Sequence, residues 1–508
     1  MACRRRYWAT SLLALLFAAL ASIASGEQHG ADGGVCKVAR VDKRRLFVLT
    51  DIANEPDDAQ SLVRLMVYAN EFRIEGLVAT TSYWLNDTVR PDQIHDIVQA
   101  YGETLPNLKQ HASGWPEVDQ LVPLIKSGST LYGMAGVGPG QDTEGSKLLV
   151  EAVDASEERL WVPIWGGSNV LAQALWHVNA TRSPAEVDRF VSKLRVYAIS
   201  DQDNSGPWIR RNWPGLFYIA SVHHFNRYAH AAWGGISGDN YYHFPSTASV
   251  ETISDSWLKK NIQIGPLGAK YPDSEFIIEG DTPSLLYMIP NGLSDPQYPE
   301  WGSWGGRYGP VVWGEGHFAD SIDIITDEAG GRTIMDSHAT VWRWRSAFQN
   351  DFKARMQWTM QPAFSGASHA PVPVVNGSAT DAVLRINVEA GQSLVLDASQ
   401  ACDPDGDGTK LSFKWWQYKE PSSNNNNPKR DVSEVGFDSQ NSAKVTIQVP
   451  EESVLRRPGR GAHPGADKHM HIILEVSNEN LVAYRRIVLT SRKDVTAGES
   501  SNAPHDEL

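Results

Sequence analysis

The chain has 508 residues, which is too long for one ordinary hydrophobic core and predicts more than one domain. Its formal net charge is −14 at pH 7, and this excess of acidic residues argues against a nucleic acid polymer as partner, because phosphate binding needs Lys and Arg. The composition is that of a globular protein, and a cation or a neutral sugar fits the charge better.

The beginning of the chain predicts a secretory signal peptide over residues 1–26. Three arginines at positions 4–6 precede an apolar segment that ends in small residues, and this segment is too short and too early to be a membrane span. Cleavage would leave two cysteines, Cys36 and Cys402. They either form one disulfide in an oxidising compartment or stay free, and no metal-binding or redox spacing links them.

Residues 43–362 alternate short apolar strands with helical patterns. Strands are predicted at "RLFVLTD", "FRIEGLVATTS", "LWVPIWGGSN", "LRVYAISDQDN", "GLFYIAS" and "EFIIEG", and the first is followed by the amphipathic stretch "DDAQSLVRLMVYANE". Repeated strand, loop and helix units favour an α/β domain whose mostly parallel sheet is flanked by helices. A final helix, "WRWRSAFQNDFKARMQW", closes this domain.

The composition changes after this domain. Residues 363–376 are rich in Pro, Ser, Ala and Gly and predict a linker, and residues 377–493 contain short alternating strands that predict an immunoglobulin-like β-sandwich. Residues 494–508 predict a flexible tail that ends in HDEL, a retrieval signal of the endoplasmic reticulum. We therefore expect the endoplasmic reticulum lumen as the location, with secretion as the alternative and no membrane span.

The ends of the predicted parallel strands carry polar side chains. In an open α/β sheet, ligands bind outside the carboxyl ends of the strands, so these side chains predict a binding site at one rim. The candidates are Asp51, Thr80 to Ser82, Ser168, Asn169, Asp201, Gln202, Asp203, Asn204 and Asp281.

The acidic segment "LTDIANEPDDAQ" has the highest charge density of that rim. Asp57 and Asp58 fall in the first turn of the predicted helix, where one carboxylate can cap the helix, but capping does not explain a pair together with Asp51. Ligands that are all oxygen favour a hard cation, and Ca²⁺ is preferred over Mg²⁺ because it tolerates several protein oxygens. In the loop "QYPEWGSWGGRYG", Trp301 and Trp304 either stack on sugar rings or pack against the domain.

Several long segments resemble one known family. "LTDIANEPDD", "WGGSNVLAQAL", "ISDQDNSGPWIRRNWP" and "EGDTPSLLYMIPNGLSDPQYPEWGSWGGRYG" are similar to the cellulose-binding, nucleoside-hydrolase-like family, which belongs to the inosine-uridine nucleoside hydrolase superfamily and adds a β-sandwich C-terminal domain. Members of that superfamily cleave N-glycosidic bonds with a bound Ca²⁺. The resemblance implies a nucleoside-hydrolase-like sheet followed by the sandwich.

The resemblance also implies roles for individual residues. A Ca²⁺ would be held by Asp51, Asp58, Asp281 and the main-chain carbonyl of Ser168. The candidate catalytic residues are Asp51, Asp57 and Asp58. The candidate substrate-binding residues are Asn54, Asn169, Asp201, Asp203, Asn204, Trp301 and Trp304.

Two positions depart from the superfamily pattern. Its middle Asp, a metal ligand and the usual candidate for the catalytic base, falls on Ala53, and Gly280 stands where nucleoside hydrolases often have a His. A hydrolase of N-glycosyl or related glycosidic bonds is the first interpretation. A non-catalytic carbohydrate-binding protein is the alternative, and an interaction protein that acts through its sandwich is a third. The expected partner is a sugar-containing small molecule or a glycan, and the oligomeric state is not predicted.

Overall fold

The computed structural model describes residues 36–37, 43–222, 225–312, 314–326, 331–406, 410–422, 434–455 and 468–491. The predicted signal peptide and the HDEL tail lie outside these residues. No helix among the described residues is both long enough and apolar enough to cross a bilayer.

Within the described residues, eight strands form the main sheet. They are β1 (Arg44–Thr50), β2 (Phe72–Ala79), β3 (Ile125–Ser127), β4 (Leu160–Ile164), β5 (Leu194–Ser200), β6 (Phe217–Val222), β7 (Tyr308–Pro310) and β8 (His317–Asp320). Their order across the sheet is β3-β2-β1-β4-β5-β6-β8-β7, and every neighbouring pair is parallel except β7 with β8. The mostly parallel sheet is thus confirmed.

Helices cover both faces of this sheet. They are α1 (Pro56–Val67), α2 (Pro91–His111), α3 (Val118–Leu121), α4 (Glu144–Asp154), α5 (Asn169–Thr181), α6 (Pro184–Lys193), α7 (Ser205–Asn212), α8 (Gly238–Tyr241), α9 (Asp255–Asn261), α10 (Gly265–Gly268), α11 (Thr282–Leu286), α12 (Ala339–Trp342) and α13 (Arg345–Trp358). A small antiparallel hairpin, β9 (Asp323–Thr326) and β10 (Thr333–Asp336), precedes α12.

The side chains of β1 show why the sheet is buried on both faces. Leu46 and Val48 join one apolar cluster, together with residues of α1, α2 and α13, while Phe47 and Leu49 join a second cluster with residues of α4, α5 and α6. Successive side chains of a strand point to opposite faces, so a continuous apolar run fits a strand that has helices on both sides. This buried strand ends at Thr50, and Asp51, the first carboxylate of the acidic segment, follows it directly.

One predicted strand is wrong. The segment "EFIIEG", residues 275–280, has no strand pairing and forms an irregular turn. Its backbone groups bond to side chains instead of a neighbouring strand, since the amide of Ile278 donates to Oγ of Ser237 at 3.0 Å. Glu279 has a left-handed backbone conformation with φ of 55°, which a strand does not allow.

The C-terminal part confirms the β-sandwich. Its strands are β11 (Leu384–Val388), β12 (Ser393–Asp397), β13 (Ser412–Tyr418), β14 (Gly436–Phe437), β15 (Lys444–Gln448), β16 (Lys468–Ser477) and β17 (Val482–Ser491), with a short helix, α14 (Glu452–Leu455), before β16. They form the sheets β11-β17-β16-β13 and β12-β15-β14, which enclose their own core around Trp415, Leu396 and Ile472. All described pairs are antiparallel except β11 with β17.

The sandwich packs closely against the α/β part. Tyr418 of β13 donates to Asp323 at 2.5 Å, and the ring of Tyr484 in β17 meets Trp344 edge-on with centroids 5.6 Å apart. A disulfide joins Cys36, near the start of the described chain, to Cys402 in the sandwich, with Cα atoms 5.9 Å apart. Of the two alternatives for the cysteines, the structure has the disulfide.

Candidate functional site

The acidic segment lies where β1 ends and α1 begins. Pro56 starts the helix at its first turn, and Asp57 and Asp58 follow in that turn, where the positive end of the helix dipole favours carboxylates. Both side chains are buried, and the hydroxyl of Thr50, the last residue of β1, donates a hydrogen bond to Oδ1 of Asp58. Strand and helix together thus fix these two carboxylates at the rim of the sheet.

A third carboxylate comes from a distant part of the chain. Asp281, at the start of α11, is 1% exposed, and its Oδ2 atom has no hydrogen-bond partner. Asp57, Asp58 and Asp281 each offer one oxygen, and these oxygens all lie within 4.8 Å of one another. Buried carboxylate oxygens that converge in this way repel one another, and they fit a hard cation such as Ca²⁺, which takes oxygen ligands. The residues present therefore fit the cofactor that the resemblance implies.

Burial and mutual repulsion shift the proton affinity of this cluster. Burial raises the pKa of Asp51 from 3.8 to about 7 and that of Asp57 to about 8, with repulsion from neighbouring carboxylates as a further cause. The pKa values of Asp58 and Asp281 are also raised well above their ordinary range, again first by burial and then by the neighbouring aspartates. Near neutral pH these carboxyls hold protons readily, unless a cation takes the place of the protons.

The carboxylates lie in a cavity of about 450 Å³. Its polar lining comes from Asp51, Asn54, Glu55, Asp57, Asp58, Gln202 and Asp281, and its apolar and aromatic lining comes from Trp84, Trp165, Ile199, Tyr228, Trp233, Tyr241, Tyr242, Phe276 and Ile277. Trp84 and Phe276 are exposed, whereas Trp165 and Trp233 are buried. A cavity lined by carboxylates and aromatic side chains suits a sugar-containing molecule, because sugar rings offer hydroxyls at the edge and C–H groups on the face.

Of two further lining residues, Gln202 is among the strand-end candidates without an assigned role, and Trp165 is absent from the residues predicted for the site. The side-chain amide of Gln202 donates to the main-chain carbonyl of Trp165, and its Oε1 atom is buried without a partner. The indole N–H of Trp165 donates to Oγ of Ser284 at 2.9 Å, which ties the end of β4 to α11. Trp165 follows β4 directly, so the rule on strand ends, which includes Gln202 after β5, could have included Trp165 as well.

Asp51 lies outside the trio of converging oxygens although it lines the same cavity. Its side chain is hydrogen-bonded to Ser82 and Asp58, and a β-carbon on Gly166 would lie 2.6 Å from its Oδ1 atom. The glycine after β4 thus leaves room for this carboxylate. Of the neighbouring loop residues, Asn54 lines the cavity, and Ala53 is exposed with φ of 87°.

Ser168 and Asn169 serve the start of α5. The carbonyl of Ser168 accepts the first hydrogen bond of that helix, from the amide of Ala172 at 2.9 Å, and Ser168 does not line the cavity. Asn169 accepts from the hydroxyl of Thr80 at 2.7 Å and donates to the hydroxyl of Thr81 at 2.9 Å. The structure thus places both residues outside the cavity lining, where Asn169 joins α5 to the segment after β2, and the metal-ligand and substrate roles given to Ser168 and Asn169 stay predictions.

The three predicted residues after β5 are also engaged within the protein. Asp201 forms a two-bond ion pair with Arg210 at 2.9 and 2.7 Å. Asp203 accepts from the amide of Ser205 at 2.8 Å, which caps α7, and Asn204 accepts from the amide of Met134 at 2.8 Å. None of the three is in the cavity lining, so the structure gives them a role in packing the rim.

Trp301 and Trp304 do not form the predicted sugar platform. They are 8% and 2% exposed and lie away from the cavity. Trp301 stacks on Tyr298 with centroids 4.3 Å apart, and Trp304 packs edge-on against Tyr484 of the sandwich at 6.2 Å. Of the two alternatives for this loop, the structure favours packing, because the sandwich covers the aromatic rings.

Two family models match the chain. The model described as "Cellulose-binding Sde182, nucleoside hydrolase-like domain" matches residues 45–308, and the model described as "Cellulose-binding protein Sde0182, C-terminal domain" matches residues 393–491. The first match falls on the main sheet and the second on the sandwich. No curated protein matches the chain.

Solved structures show the same relationship. The chain is similar to a nucleoside hydrolase-related hypothetical protein from Saccharophagus degradans that is associated with carbohydrate metabolism, with 36% identity over 89% of this chain and 100% of that chain and a TM-score of 0.72. An inosine-uridine preferring nucleoside hydrolase from Bacillus anthracis has 12% identity over 62% of this chain and 99% of its own, with a TM-score of 0.30. The type III effector protein XopQ, in complex with adenosine diphosphate ribose, has 13% identity over 64% of this chain and 94% of its own, with a TM-score of 0.28.

Proposed function

We propose that this chain, which belongs to the family of cellulose-binding proteins with a nucleoside hydrolase-like domain, hydrolyses an N-glycosyl or related glycosidic bond in a small sugar-containing molecule. One observation carries the proposal. Oxygens of the buried Asp57, Asp58 and Asp281 converge within 4.8 Å, and Asp51 lies beside them in a cavity of about 450 Å³. This volume is in the range of pockets that hold a small molecule, which are about 300–1,000 Å³.

The three converging carboxylates would hold a calcium ion. When bound, the ion would supply Lewis-acid polarisation and a binding point for sugar hydroxyls. Asp57, Asp58 and Asp281 would be fully ionised in that state, because a neighbouring positive charge favours the charged form of a carboxyl. Their buried position also lowers the local dielectric constant, which strengthens each electrostatic interaction in the site.

Asp51 is the residue that we assign as general base. It lines the cavity but lies outside the converging trio, so its carboxylate remains available to a water molecule. Without a bound ion, burial raises the pKa of Asp51 to about 7, and a calcium ion beside it would lower that pKa, so that the carboxylate is ionised at neutral pH and can accept a proton from water. Its contacts with Ser82 and Asp58 orient the carboxylate.

The cavity also suits the charge that develops during glycoside cleavage. The anomeric carbon gains oxocarbenium character as the bond breaks, and carboxylates held next to it stabilise that positive charge. Tyr228 and Tyr242 line the wall, and burial raises the pKa of Tyr242 to about 12. Their phenols therefore stay protonated and can donate a hydrogen bond to the departing group.

A non-catalytic carbohydrate-binding protein is the second candidate. Two observations favour it. Ala53 occupies the position of the superfamily's middle Asp, and Gly280 has no side chain that could reach the leaving group. In that case the same carboxylates and aromatic walls would bind the sugar without turnover. The two candidates share a ligand class and differ in whether a bond is broken.

The deciding experiment is a hydrolysis assay with calcium present. Nucleosides, ribosides and short cello-oligosaccharides are incubated with the protein, and released reducing sugar is measured against a no-enzyme control. If Asp51 is the base, Asp51→Asn should lower the rate at least about a hundredfold while the fold and calcium binding are kept. The amide has nearly the same shape, so such a selective loss points to chemistry.

The matched control is Asp320→Asn, because Asp320 is another enclosed carboxyl outside the cavity lining. Burial raises its pKa to about 7 as well, and it accepts hydrogen bonds from Ser221 and Ala232. This variant should keep full activity. If no substrate is cleaved by the wild-type protein but sugars bind in the cavity, the binding function replaces the hydrolase.

A further inference from the structure

The turn that delivers Asp281 has an unfavourable backbone conformation. Glu279 has φ of 55° although it is not a glycine, and it is 0% exposed. L-residues enter this left-handed region at a cost in energy, because the β-carbon approaches the following carbonyl oxygen. Glu279 is two residues before Asp281, so whatever holds Glu279 in this conformation also sets the position of the Asp281 carboxylate.

Three tethers connect this turn to α1, the helix that carries Asp57 and Asp58. Arg64 donates two parallel hydrogen bonds to the carboxylate of Glu279, at 2.6 and 3.0 Å. The amide of Glu279 donates to Oε1 of Gln60 at 2.9 Å, and the hydroxyl of Thr282 donates to Oγ of Ser61 at 2.9 Å. The residues of α1 that form these tethers all lie within two helical turns of the two aspartates.

The arginine of this pair is itself fixed by α13. Its Nη1 atom donates to the carbonyl of Phe348 at 3.2 Å, and its Nη2 atom donates to Gln349 at 2.5 Å. The guanidinium lies over the ring of Phe352, with 3.9 Å from Cζ to the ring centroid. Tyr271 donates to the Glu279 carboxylate at 2.8 Å from the other side. The ion pair is thus held on all sides and has little freedom to adjust.

We propose that the Arg64–Glu279 ion pair, together with the Ser61–Thr282 contact, is a positioning device that sets the separation between Asp281 and the two aspartates of α1, and thereby the affinity of the site for calcium. This inference rests on the proposed function, since it requires that the three carboxylates bind a cation. Neither Arg64 nor Glu279 lines the cavity, so neither contacts the ligand. They act through the backbone of α1 and of the turn.

The geometry of the pair suggests a specific substitution. Arg64→Lys keeps the positive charge, but a lysine ammonium cannot donate the two parallel bonds that fix Glu279. An electrostatic influence on the carboxylates would survive this change, whereas positioning would not. Loss of residues that orient metal ligands typically lowers metal affinity about 10- to 100-fold, and we expect a loss in that range.

The experiment is a calcium titration of chelator-treated protein by calorimetry. Arg210→Lys is the matched control, because Arg210 forms an equivalent two-bond pair with Asp201 outside the cavity lining. We expect Arg64→Lys to lose at least about tenfold in calcium affinity and Arg210→Lys to bind as the wild-type protein does. A folded Arg64→Lys variant with wild-type affinity overturns the inference while the proposed calcium site stands.

A milder variant covers the case in which Arg64→Lys does not fold. Ser61→Ala removes only the contact with Thr282 and leaves every charge in place. It should lower the calcium affinity by a smaller factor, and unchanged affinity in this variant overturns the inference. If the wild-type protein binds no calcium, the proposed metal site and this inference both fall.

Discussion

Gly280 and Asp57 approach each other so closely that no side chain fits between them. A β-carbon on Gly280 would lie 2.8 Å from Oδ2 of Asp57 and 3.2 Å from Cζ3 of Trp233. The first distance is too short for a real β-carbon, so any side chain at this position would displace Asp57. This explains the departure from the His that the superfamily resemblance implies at this position, since Trp233 and Asp57 occupy the space around it.

The first prediction concerns this contact. Gly280→Ala should push Asp57 away from Asp58 and Asp281, and should weaken calcium binding and destabilise the fold by about 1–3 kcal/mol, the usual cost of overpacking. Calcium titration and thermal unfolding measure the two effects. Gly215→Ala is the control, because nothing lies within 4 Å of a β-carbon there. Equal behaviour of the two variants would mean that the cavity adapts to the extra carbon.

The second prediction tests the metal site directly. Calcium added to chelator-treated protein should raise the melting temperature, because a ligand that binds only the native state stabilises it by mass action. In Asp58→Asn and Asp281→Asn this shift should shrink, since each variant removes one converging carboxylate. Asp320→Asn should keep the full shift. If calcium did not change the melting temperature of the wild-type protein, the acidic cluster would not be a calcium site.

The third prediction follows from the raised pKa values. The folded pKa values of Asp51, about 7, and Asp57, about 8, lie above the ordinary value of 3.8, so the folded chain binds more protons than the unfolded chain over that range. Without calcium, the free energy of unfolding should therefore fall as the pH rises from about 4 to about 8. Calcium replaces these protons, so its stabilising effect should grow over the same range.

Thermal unfolding at pH 5.5 and pH 8, each with and without calcium, checks this dependence. The informative quantity is the difference that calcium makes, because Asp320, whose pKa is raised to about 7, contributes the same trend without being in the cavity. A calcium shift that is larger at pH 5.5 than at pH 8 would contradict the assignment of the carboxylates as ligands.

Local sequence patterns were sufficient for most of the fold. The apolar run of β1 and the amphipathic pattern of α1 each follow from side chains that are close in sequence, and the position of the acidic turn follows from their junction. The same holds for the alternating strands of the sandwich. The rim of the sheet was predictable because parallel strands bring their carboxyl ends together, whatever the details of packing.

The errors come from contacts between distant residues. Glu279 lies in an apolar run typical of a strand, but its conformation depends on Gln60 and Arg64, more than two hundred positions away. Trp301 stands in a loop rich in glycine, and the docked sandwich helps to bury it through His471. No local pattern contains either fact. The polar residues after β5 were placed correctly at the rim, but their partners within the protein could not be read from spacing.

The fourth prediction concerns the disulfide. It joins residues 366 positions apart, so it constrains the unfolded chain strongly. The double variant Cys36→Ser, Cys402→Ser should lose about 2–5 kcal/mol of stability, as measured by denaturant unfolding. Dithiothreitol should destabilise the wild-type protein and leave the variant unchanged, which is the internal control. If dithiothreitol did not change the stability of the wild-type protein, the disulfide would contribute nothing to the free energy of unfolding.

The last prediction concerns the aromatic wall of the cavity. Trp84 lies at the cavity with 43% of its surface exposed, and its indole N–H donates to the hydroxyl of Tyr228 at 3.4 Å, which holds the ring in place. A fixed, exposed ring suits stacking on a sugar or a base, so Trp84→Ala should weaken ligand binding by about 1–3 kcal/mol, the range known for stacking of nucleic acid bases on aromatic side chains.

Trp301→Ala is the matched control, since it removes the same side chain at a buried position outside the cavity. Trp301 stacks on Tyr298 and lies under the guanidinium of Arg385, so this variant should lower the stability of the contact with the sandwich. Its ligand affinity should stay at the wild-type level. Calorimetric titration of both folded variants with the same sugar-containing ligand separates the two effects, because stability and affinity are measured independently. If Trp301→Ala weakened binding as much as Trp84→Ala does, the ligand would have to reach the loop at the sandwich, and the acidic cavity would lose its aromatic partner.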